Sequence, residues 1–157
     1  MDSGPWLTEA EQRAWRQLAA VFLRLPGALE SQLQRDAGLS HFEYWVMALL
    51  SEATGRARRL RALADQANCS LSRLSHVVTR LEGRGWVVRQ PDPDDARSTL
   101  AVLTDAGYGK VVEAAPGHVQ AVRSLVFAAL DEGDVEALER VCGAIATRID
   151  GVAGQQA

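Results

Sequence analysis

The sequence predicts a mainly α-helical chain that carries one two-stranded β-hairpin. Long runs before residue 55 and after residue 104 repeat apolar residues every three or four positions, the period of an amphipathic helix. Two shorter helical runs meet at a tight polar turn within residues 60–82. Two β-prone runs, at 86–90 and 99–103, follow directly and enclose a segment rich in proline and aspartate.

The composition fits one domain or one dimer-forming unit. The chain has 157 residues, of which 47% are hydrophobic, enough for an apolar core. It contains no apolar run of membrane-spanning length and no signal-peptide pattern, so we expect a cytoplasmic protein that does not contact a membrane. Its two cysteines, Cys69 and Cys142, do not make a disulfide framework.

The first predicted helix begins near Thr8, which has capping-box spacing to Glu11, and ends at residues 36–38. Its apolar residues follow at steps of three and four and form one stripe: Trp15, Leu18, Phe22, Leu25, Leu29 and Leu33. Because the stripe keeps its phase across Pro26, we expect a kink or a break with restart there, not a loop.

The second predicted helix begins after Ser40, which forms a capping box with Glu43. Its expected buried face consists of Phe42, Trp45, Val46, Leu49 and Leu50. Arginines follow at positions 56, 58, 59 and 61. Such a run is usually a solvated surface, but its place before the helix pair favours phosphate anchoring here.

Residues 60–82 predict two short helices joined by a tight turn. Asn68 tolerates the left-handed conformation that ends helices, and Ser70 is a favourable N-cap for the second helix. The first helix places four apolar residues on one face: Leu60, Leu63, Ala64 and Ala67. This arrangement is typical of a helix-turn-helix.

The second of these helices, residues 70–82, has an apolar face and a polar face without any acid. The apolar positions are Leu71, Leu74, Val77, Val78 and Leu81. The polar positions are Ser72, Arg73, His76, Thr79 and Arg80. Hydroxyl, guanidinium and imidazole groups reach base edges and phosphates in a DNA major groove. On this helix alone, an ordinary solvated face is an equally good interpretation.

The β-prone runs after the helix pair predict a hairpin. Residues 83–85 form a tight break, and residues 91–98 form a loop that is too polar and rigid for a core. A helix-turn-helix followed by a β-hairpin is a winged helix. The sequence therefore predicts a winged helix-turn-helix with a two-stranded β-wing over residues 86–104.

Positive charge is concentrated in this segment, although the whole chain has a net charge of −3. Residues 56–97 contain nine arginines and five acidic residues, a local charge of +4, and the rest of the chain carries −7. Arginine suits bidentate contacts to phosphate and guanine and insertion into the minor groove. The distribution of charge therefore favours DNA as a partner.

Two further helices are predicted after the wing. Thr104 caps the first, which we expect to continue to Leu130 with a bend at Pro116, followed by a short turn at 131–134. The last helix has one apolar stripe: Val135, Leu138, Val141, Cys142, Ile145 and Ile149. Because the terminal helices are long and amphipathic, their apolar faces need a partner outside their own domain.

Four short motifs stand in a fixed order: Leu63–Ala64, Arg-Leu-Glu-x-x-Gly at 80–85, Asp-Pro-Asp-Asp-Ala-Arg-Ser at 92–98 and Leu-Thr-Asp-Ala-Gly at 103–107. In this order and spacing they resemble the MarR family of bacterial transcription regulators. The resemblance implies an intertwined dimerisation domain, built from residues 1–38 and 105–157, around a DNA-binding region at 39–104. A twofold dimer presents its recognition helices about one DNA turn apart, so the operator should be an inverted repeat.

The helix position and the resemblance together suggest residue roles in DNA binding. Ser72, Arg73 and His76 are the base-reading candidates, because they face outward near the start of the recognition helix. Many family members carry Thr or Ser in place of Arg73 and Arg in place of His76, so the base preference is open. Phosphate or marginal base contacts are expected from Ser70, Ser75, Thr79, Arg80 and Arg89. Ser75 lies at the edge of the apolar stripe, so packing is its alternative role.

The wing motif has its own implied role. In the family, the arginine of Asp-x-Arg enters the minor groove and the aspartate two residues earlier orients it. Arg97 and Asp95 occupy these positions here, with Ser98 beside them. An acid beside DNA is costly unless it holds a base or an arginine in place, which supports this role for Asp95.

The resemblance also implies a small apolar or phenolic anion as an effector, bound between the dimer helices and the winged helix. The wall of that cleft would come from Trp15, Leu18, Phe22, His41, Tyr44 and Trp45. Either Arg16 or Arg24 would meet the anion. Core or dimer packing is the more common fate of aromatic residues at helical spacing, and it stays the alternative for each of them.

Two alternatives to an effector-released repressor stay open. Cys69 could sense oxidants beside the recognition helix, although a small turn residue is its commoner role, and Cys142 is expected in the core. A winged helix that only docks another protein would lack the steep salt dependence of DNA binding. No enzyme or cofactor is expected, because His41, His76 and His118 are isolated and lack metal-ligand spacing.

Overall fold

The structure, a computed structural model, describes residues 6–153 as a mainly helical chain with one three-stranded antiparallel sheet. Its elements are α1 (Glu9–Ala37), α2 (His41–Ser51), a 3₁₀ turn (Thr54–Arg56), β1 (Ala57–Arg59), α3 (Leu60–Gln66), α4 (Leu71–Gly83), β2 (Val87–Asp92), β3 (Asp95–Leu103), α5 (Asp105–Leu125), a second 3₁₀ turn (Phe127–Ala129) and α6 (Glu132–Ala153). This architecture confirms the predicted winged helix-turn-helix. None of the described helices combines the length and apolar character needed to cross a bilayer.

Helix α1 has the ends that the sequence predicts. Thr8 Oγ1 accepts a hydrogen bond from the Glu11 backbone N–H at 3.3 Å, and the Glu11 carboxylate accepts one from the Thr8 N–H at 2.8 Å. Gly38 ends the helix with a φ of 64°, a left-handed conformation that suits glycine. The helix is continuous through Pro26, so the break considered there does not occur. The proline removes one backbone donor, and the neighbouring hydrogen bonds carry the helix across.

The apolar core lies around α2 and α4. The largest fully buried side chains are Leu33, Leu39, Met47, Leu50, Leu63, Leu74, Leu81, Val46, Val78 and Val87. The capping box of Ser40 and Glu43 at the start of α2 is confirmed. The predicted buried face of α2 needs correction, because Trp45 is 44% exposed whereas Tyr44 is buried. This helix buries a wider arc than a single stripe, which periodicity alone does not reveal.

The sheet has the strand order β1–β3–β2, with one strand more than the sequence predicts. The extra strand belongs to the arginine run, where Arg58 lies opposite Ala101. Three residues are too few for an alternating pattern to be recognised. The hairpin also replaces most of the predicted loop, because Pro91 pairs with Thr99. Proline is tolerated at this position because β2 is an edge strand.

Helix α5 begins at a close contact that only glycine permits. The Thr104 hydroxyl accepts a hydrogen bond from the Gly107 N–H at 3.0 Å and donates one to the Gly85 carbonyl at 2.8 Å. A Cβ on Gly107 would lie 2.1 Å from the Trp86 carbonyl oxygen. The Leu-Thr-x-x-Gly motif therefore fixes the first turn of α5 against the hairpin.

Helix α5 crosses Pro116 as expected but ends earlier than predicted. It stops at Leu125, and the second 3₁₀ turn occupies part of the segment expected to be helical up to Leu130. The described chain divides after Val119 into two compact units. The organisation into regions 1–38, 39–104 and 105–157 stays a prediction.

Helix α6 begins three residues before the predicted Val135, so the turn expected at 131–134 is wrong. Asp131 and Asp134 cap the helix reciprocally, since each carboxylate accepts a hydrogen bond from the other's backbone N–H, at 2.8 and 3.3 Å. From Glu132 to Val152, no side chain of α6 is buried.

Candidate nucleic-acid interface

Helix α4 exposes the polar face that the sequence predicts. Ser70 Oγ caps the helix by accepting a hydrogen bond from the Arg73 N–H at 3.2 Å. Leu71 was expected on the buried face but is 45% exposed, and it lines a groove beside the wing. The exposed polar residues are Ser72, Arg73, His76, Thr79 and Arg80. This face is therefore available to a partner outside the core.

The turn before α4 contains Asn68 in the left-handed conformation, with a φ of 51°. The backbone N–H of Cys69 donates to the Ala64 carbonyl at 3.0 Å, and its side chain is half-buried against the core. These contacts fit a small turn residue. Cys142 was expected in the core, but it is exposed, as is most of α6, which has no buried side chain between residues 132 and 152.

Arg89 on β2 is bound to the recognition helix. Its guanidinium pairs with Glu82 and donates to the Ser75 carbonyl at 2.9 Å and to the Thr79 hydroxyl at 3.2 Å. Its backbone N–H also donates to the Glu82 carboxylate, at 3.0 Å. Three residues expected to contact DNA are thus linked to one another, and the link fixes β2 to α4.

Two arginines of the polar face contact α2. The guanidinium of Arg73 lies 4.3 Å from the centre of the Phe42 ring, a cation–π arrangement. Arg80 Nε donates to the buried carboxylate of Glu43 at 3.1 Å. Both arginines were expected to contact DNA, and in the structure both already hold a partner within the protein.

The wing motif brings Asp95, Arg97 and Ser98 together. The Asp95 carboxylate accepts a hydrogen bond from the Ser98 hydroxyl at 2.7 Å and one from the Arg97 backbone N–H at 3.0 Å. These two hydrogen bonds hold the pKa of Asp95 below its ordinary value. Asp95 therefore fixes the backbone of Arg97, and the exposed Arg97 side chain has no ion-pair partner within residues 6–153.

A second acid of the wing, Asp92, is buried and paired with Arg59 of β1 at 2.5 Å. Its carboxylate also accepts a hydrogen bond from the Asp94 N–H at 3.0 Å. The Asp94 hydrogen bond and then the Arg59 pair lower the pKa of Asp92. The pair ties the first strand of the sheet to the turn of the wing.

Only part of the arginine run at 56–61 is free to anchor phosphate. Arg56 pairs with Asp105 at 2.9 Å and lies 3.7 Å from the centre of the Tyr108 ring. Arg59 is held by Asp92. Arg61 is exposed and lines a groove between α3, the start of α4 and the wing.

That groove has a volume of about 650 Å³. Its lining residues are Arg59, Leu60, Arg61, Ala62, Asp65, Leu71, Ser75, Arg97, Ser98 and Thr99. Arg59 is already paired with Asp92, so Arg61, Arg97 and three hydroxyls are the groups that the groove offers to negatively charged partners.

The residues expected around an effector fall into separate places. The rings of Trp15 and Phe22 lie 5.9 Å apart on the exposed half of α1, which also carries Leu18. Trp45 is exposed on α2. Tyr44 is buried in the core.

His41 and Tyr44 instead form a cluster with His118 of α5. The ring centre of His118 lies 4.5 Å from that of Tyr44 and 5.6 Å from that of His41. The two histidines are isolated in the sequence but adjacent in space. Burial lowers the pKa of both, with Glu30 opposing the shift at His41 and His41 adding to it at His118.

Comparison with known proteins decides the family. The family model described as MarR family matches residues 39–99. The structure of Sco3205, a MarR family transcriptional regulator from Streptomyces coelicolor in complex with DNA, is 42% identical to this chain with a TM-score of 0.89, and the match covers 92% of this chain and 94% of that one. The chain belongs to the MarR family.

Two other relatives support the same assignment. The HTH-type transcriptional regulator MhqR of Bacillus subtilis is 27% identical over 83% of this MarR-family chain and 87% of its own length. The structure of CouR from Rhodococcus jostii RHA1, bound to p-coumaroyl-CoA, is 27% identical with a TM-score of 0.74, over 83% of this chain and 89% of that one. This MarR-family protein is a transcriptional regulator.

Sequence reasoning missed the internal partners of the arginines in this MarR-family protein. Arg59 and Asp92 lie 33 positions apart, and Arg80 and Glu43 lie 37 apart. No local spacing connects such residues. The usable signal was the excess of acids in the wing, since an acid near DNA implies an arginine partner.

Proposed function

We propose that this transcriptional regulator is a repressor that binds an inverted-repeat operator as a homodimer. The observation that carries the proposal is the exposed polar face of α4 beside an arginine-lined groove and a free wing arginine. Ser72 and His76 are exposed near the start of the helix, where major-groove readers lie. We assign base reading to them, with Arg73 beside them.

The groove beside the wing fits the sugar-phosphate strand between a major and a minor groove. Arg61 and the hydroxyls of Ser70, Ser75 and Ser98 are assigned to this strand. Arg97 is assigned to the minor groove, with Asp95 holding its backbone in place. Thr79 stays a candidate for phosphate contact at the far end of the helix, and Arg89, which Glu82 and Ser75 already engage, is assigned to holding β2 against α4.

The apolar residues exposed on α1 and on α6 support the dimer. Trp15 and Phe22 of α1 are 54% and 49% exposed, and Ile145 of α6 is 39% exposed. A second copy of the chain supplies the same apolar chemistry at a twofold contact.

We also propose an aromatic or phenolic anion as the effector. The support is that CouR, a relative, binds p-coumaroyl-CoA, and that this chain carries the exposed aromatic rings of Trp15, Phe22 and Trp45. Release of DNA by such a compound would make the protein a ligand-controlled repressor.

The test is a selection of bound duplexes from a random DNA pool. We expect the wild type to enrich an inverted repeat with half-sites about ten base pairs apart. Arg97→Ala should enrich the same repeat with lower affinity, whereas Arg13→Ala, an exposed arginine at the start of α1, should bind as the wild type does. Enrichment of no sequence, with only weak, salt-sensitive binding, would reject a specific operator, and the absence of steeply salt-dependent binding to any duplex would favour a protein-docking winged helix.

A further inference from the structure

Three arginines lie on one side of the recognition helix and contact the segment that joins α1 to α2. Arg73, Arg80 and Arg84, here called the arginine stripe, are spaced by seven and four residues, which brings them within about 40° of one another around a helix. The segment they contact, residues 38–43, is here called the α1–α2 junction. All three arginines are exposed, as Ser72 and His76 are, but each also contacts the α1–α2 junction.

Each member of the stripe holds a different part of the junction. Arg73 lies over the Phe42 ring. Arg84 Nη1 donates to the Gly38 carbonyl at 2.9 Å, at the end of α1. Arg80 takes the strongest partner, because a hydrogen bond to a buried carboxylate is charge-assisted.

Glu43 holds the ends of two helices with one carboxylate. Oε2 accepts a hydrogen bond from the Ser40 N–H at 2.9 Å and closes the cap of α2, and Oε1 accepts the one from Arg80. The Glu43 side chain is only 5% exposed. Burial acts to raise the pKa of Glu43, but the hydrogen bonds from Ser40 and Arg80 outweigh it and leave the pKa below its ordinary value. The carboxylate is therefore charged and fully engaged.

The junction is also tied to α1. The Glu30 carboxylate on α1 accepts a hydrogen bond from the His41 backbone N–H at 2.7 Å. Arg80 is 57% exposed, but its departure carries a cost, because it leaves the nearly buried Glu43 carboxylate without its cationic partner. A phosphate that drew the Arg80 guanidinium away from α2 would break its hydrogen bond to Glu43.

We propose that Glu43 is a positioning residue for DNA binding: it keeps Arg80 on the α1–α2 junction and off the DNA, and so sets the orientation of the recognition helix. Arg80 is then an anchor of α4 and not a phosphate ligand, which replaces the role expected from the sequence. This inference depends on the proposed function in one respect: its test measures DNA binding.

The test is the salt dependence of DNA binding, measured by fluorescence anisotropy between 50 and 200 mM salt (about the range over which counterion release is resolved). Each phosphate contact contributes about 0.9 to the slope of log K against log salt. Arg80→Gln should lower operator affinity and leave the slope unchanged. Arg61→Gln, the matched comparison in the groove, should make the slope shallower by about 0.9 for each subunit.

Glu43→Gln gives the opposite result, because it keeps the side-chain shape and releases Arg80. The slope should steepen by about 0.9 for each subunit, and discrimination between operator and random duplex should fall. Adding Arg80→Gln to Glu43→Gln should return the slope to that of the wild type. This reversal separates a charge freed toward DNA from a general loss of structure.

Two results would overturn the proposal. One is an Arg80→Gln slope as shallow as that of Arg61→Gln, and the other is a Glu43→Gln variant with wild-type slope and discrimination. Melting by circular dichroism checks the fold, and if Glu43→Gln does not fold, Arg80→Gln decides alone. If the wild type binds operator and random duplex equally, the proposed specific function fails, whereas the slopes on random DNA still decide the role of Arg80. Absence of binding to either duplex rejects both.

Discussion

The winged-helix segment and the last helix have the same apolar period in the sequence but opposite burial in the structure. Leu74 and Leu81 of α4 are fully buried, whereas Leu138 and Ile145 of α6 are exposed. The hydrophobic period identifies a face that needs covering, and it does not say whether the cover comes from the same chain. The first region completes its own core, and the second lacks a buried side chain up to Val152.

Truncating one leucine in each region gives the largest difference. Leu74→Ala should lower the free energy of unfolding by about 3 kcal/mol, because it opens a cavity in a closed core. Leu138→Ala should leave the urea unfolding of the winged helix nearly unchanged and weaken self-association instead. Urea titration followed by circular dichroism, together with sedimentation, measures both. Equal losses of unfolding free energy would contradict the difference between the regions.

A charge on α6 tests what covers that helix. Ile145→Asp should weaken the proposed dimer by about 100-fold, since a carboxylate buried against an apolar face lacks partners. Thr147→Asp, also exposed on α6 but outside its apolar stripe, is the matched control and should associate as the wild type does. Sedimentation equilibrium gives the dissociation constants. A wild-type constant for Ile145→Asp would mean that α6 is not at the dimer contact.

The smallest expected effect is a pH dependence inside the first region. Burial lowers the pKa of His41 and of His118, so the unfolded chain binds protons that the folded chain does not. Their contribution to stability is present above about pH 6.5, the unfolded value, and is lost as pH falls through the lower folded values. His118→Gln should reduce the loss of unfolding free energy between pH 7 and pH 5 (about the range in which histidine titrates).

His76→Gln is the control for this pH series, because His76 is exposed on α4. Its unfolding free energy should follow that of the wild type with pH when no DNA is present. If His118→Gln retains the full wild-type pH dependence, the cluster of Tyr44, His41 and His118 does not carry it.

Much of the fold could be predicted because its determinants are local. The capping boxes at Thr8 and Ser40 and the left-handed Asn68 depend on residues within a few positions of one another. The predicted start of α6 was wrong because the acidic residues that cap the helix, Asp131 and Asp134, are also typical of a turn. Strand β1 was missed because its pairing with β3 is a contact between distant residues.

The candidate interface was harder to predict than the fold. The helical period predicts which residue types lie on the polar face of α4, and the wing motif predicts the exposed position of Arg97. The ion pairs of Arg59, Arg80 and Arg89 could not be predicted, because a sequence does not distinguish an arginine that pairs with an acid from one that is free to bind phosphate. Only the folded arrangement separates the two groups.

Gly107 allows the first turn of α5 to pack directly against the hairpin of the wing. The Trp86 carbonyl and the Leu103 side chain both lie directly against the first turn of α5 at Gly107, which leaves no space there for a Cβ. A tilt of that turn therefore displaces the Trp86 peptide and the strand that begins one residue later, at Val87. Any larger residue at this glycine would push the first turn of α5 away from the hairpin and would therefore loosen the link between that helix and the wing.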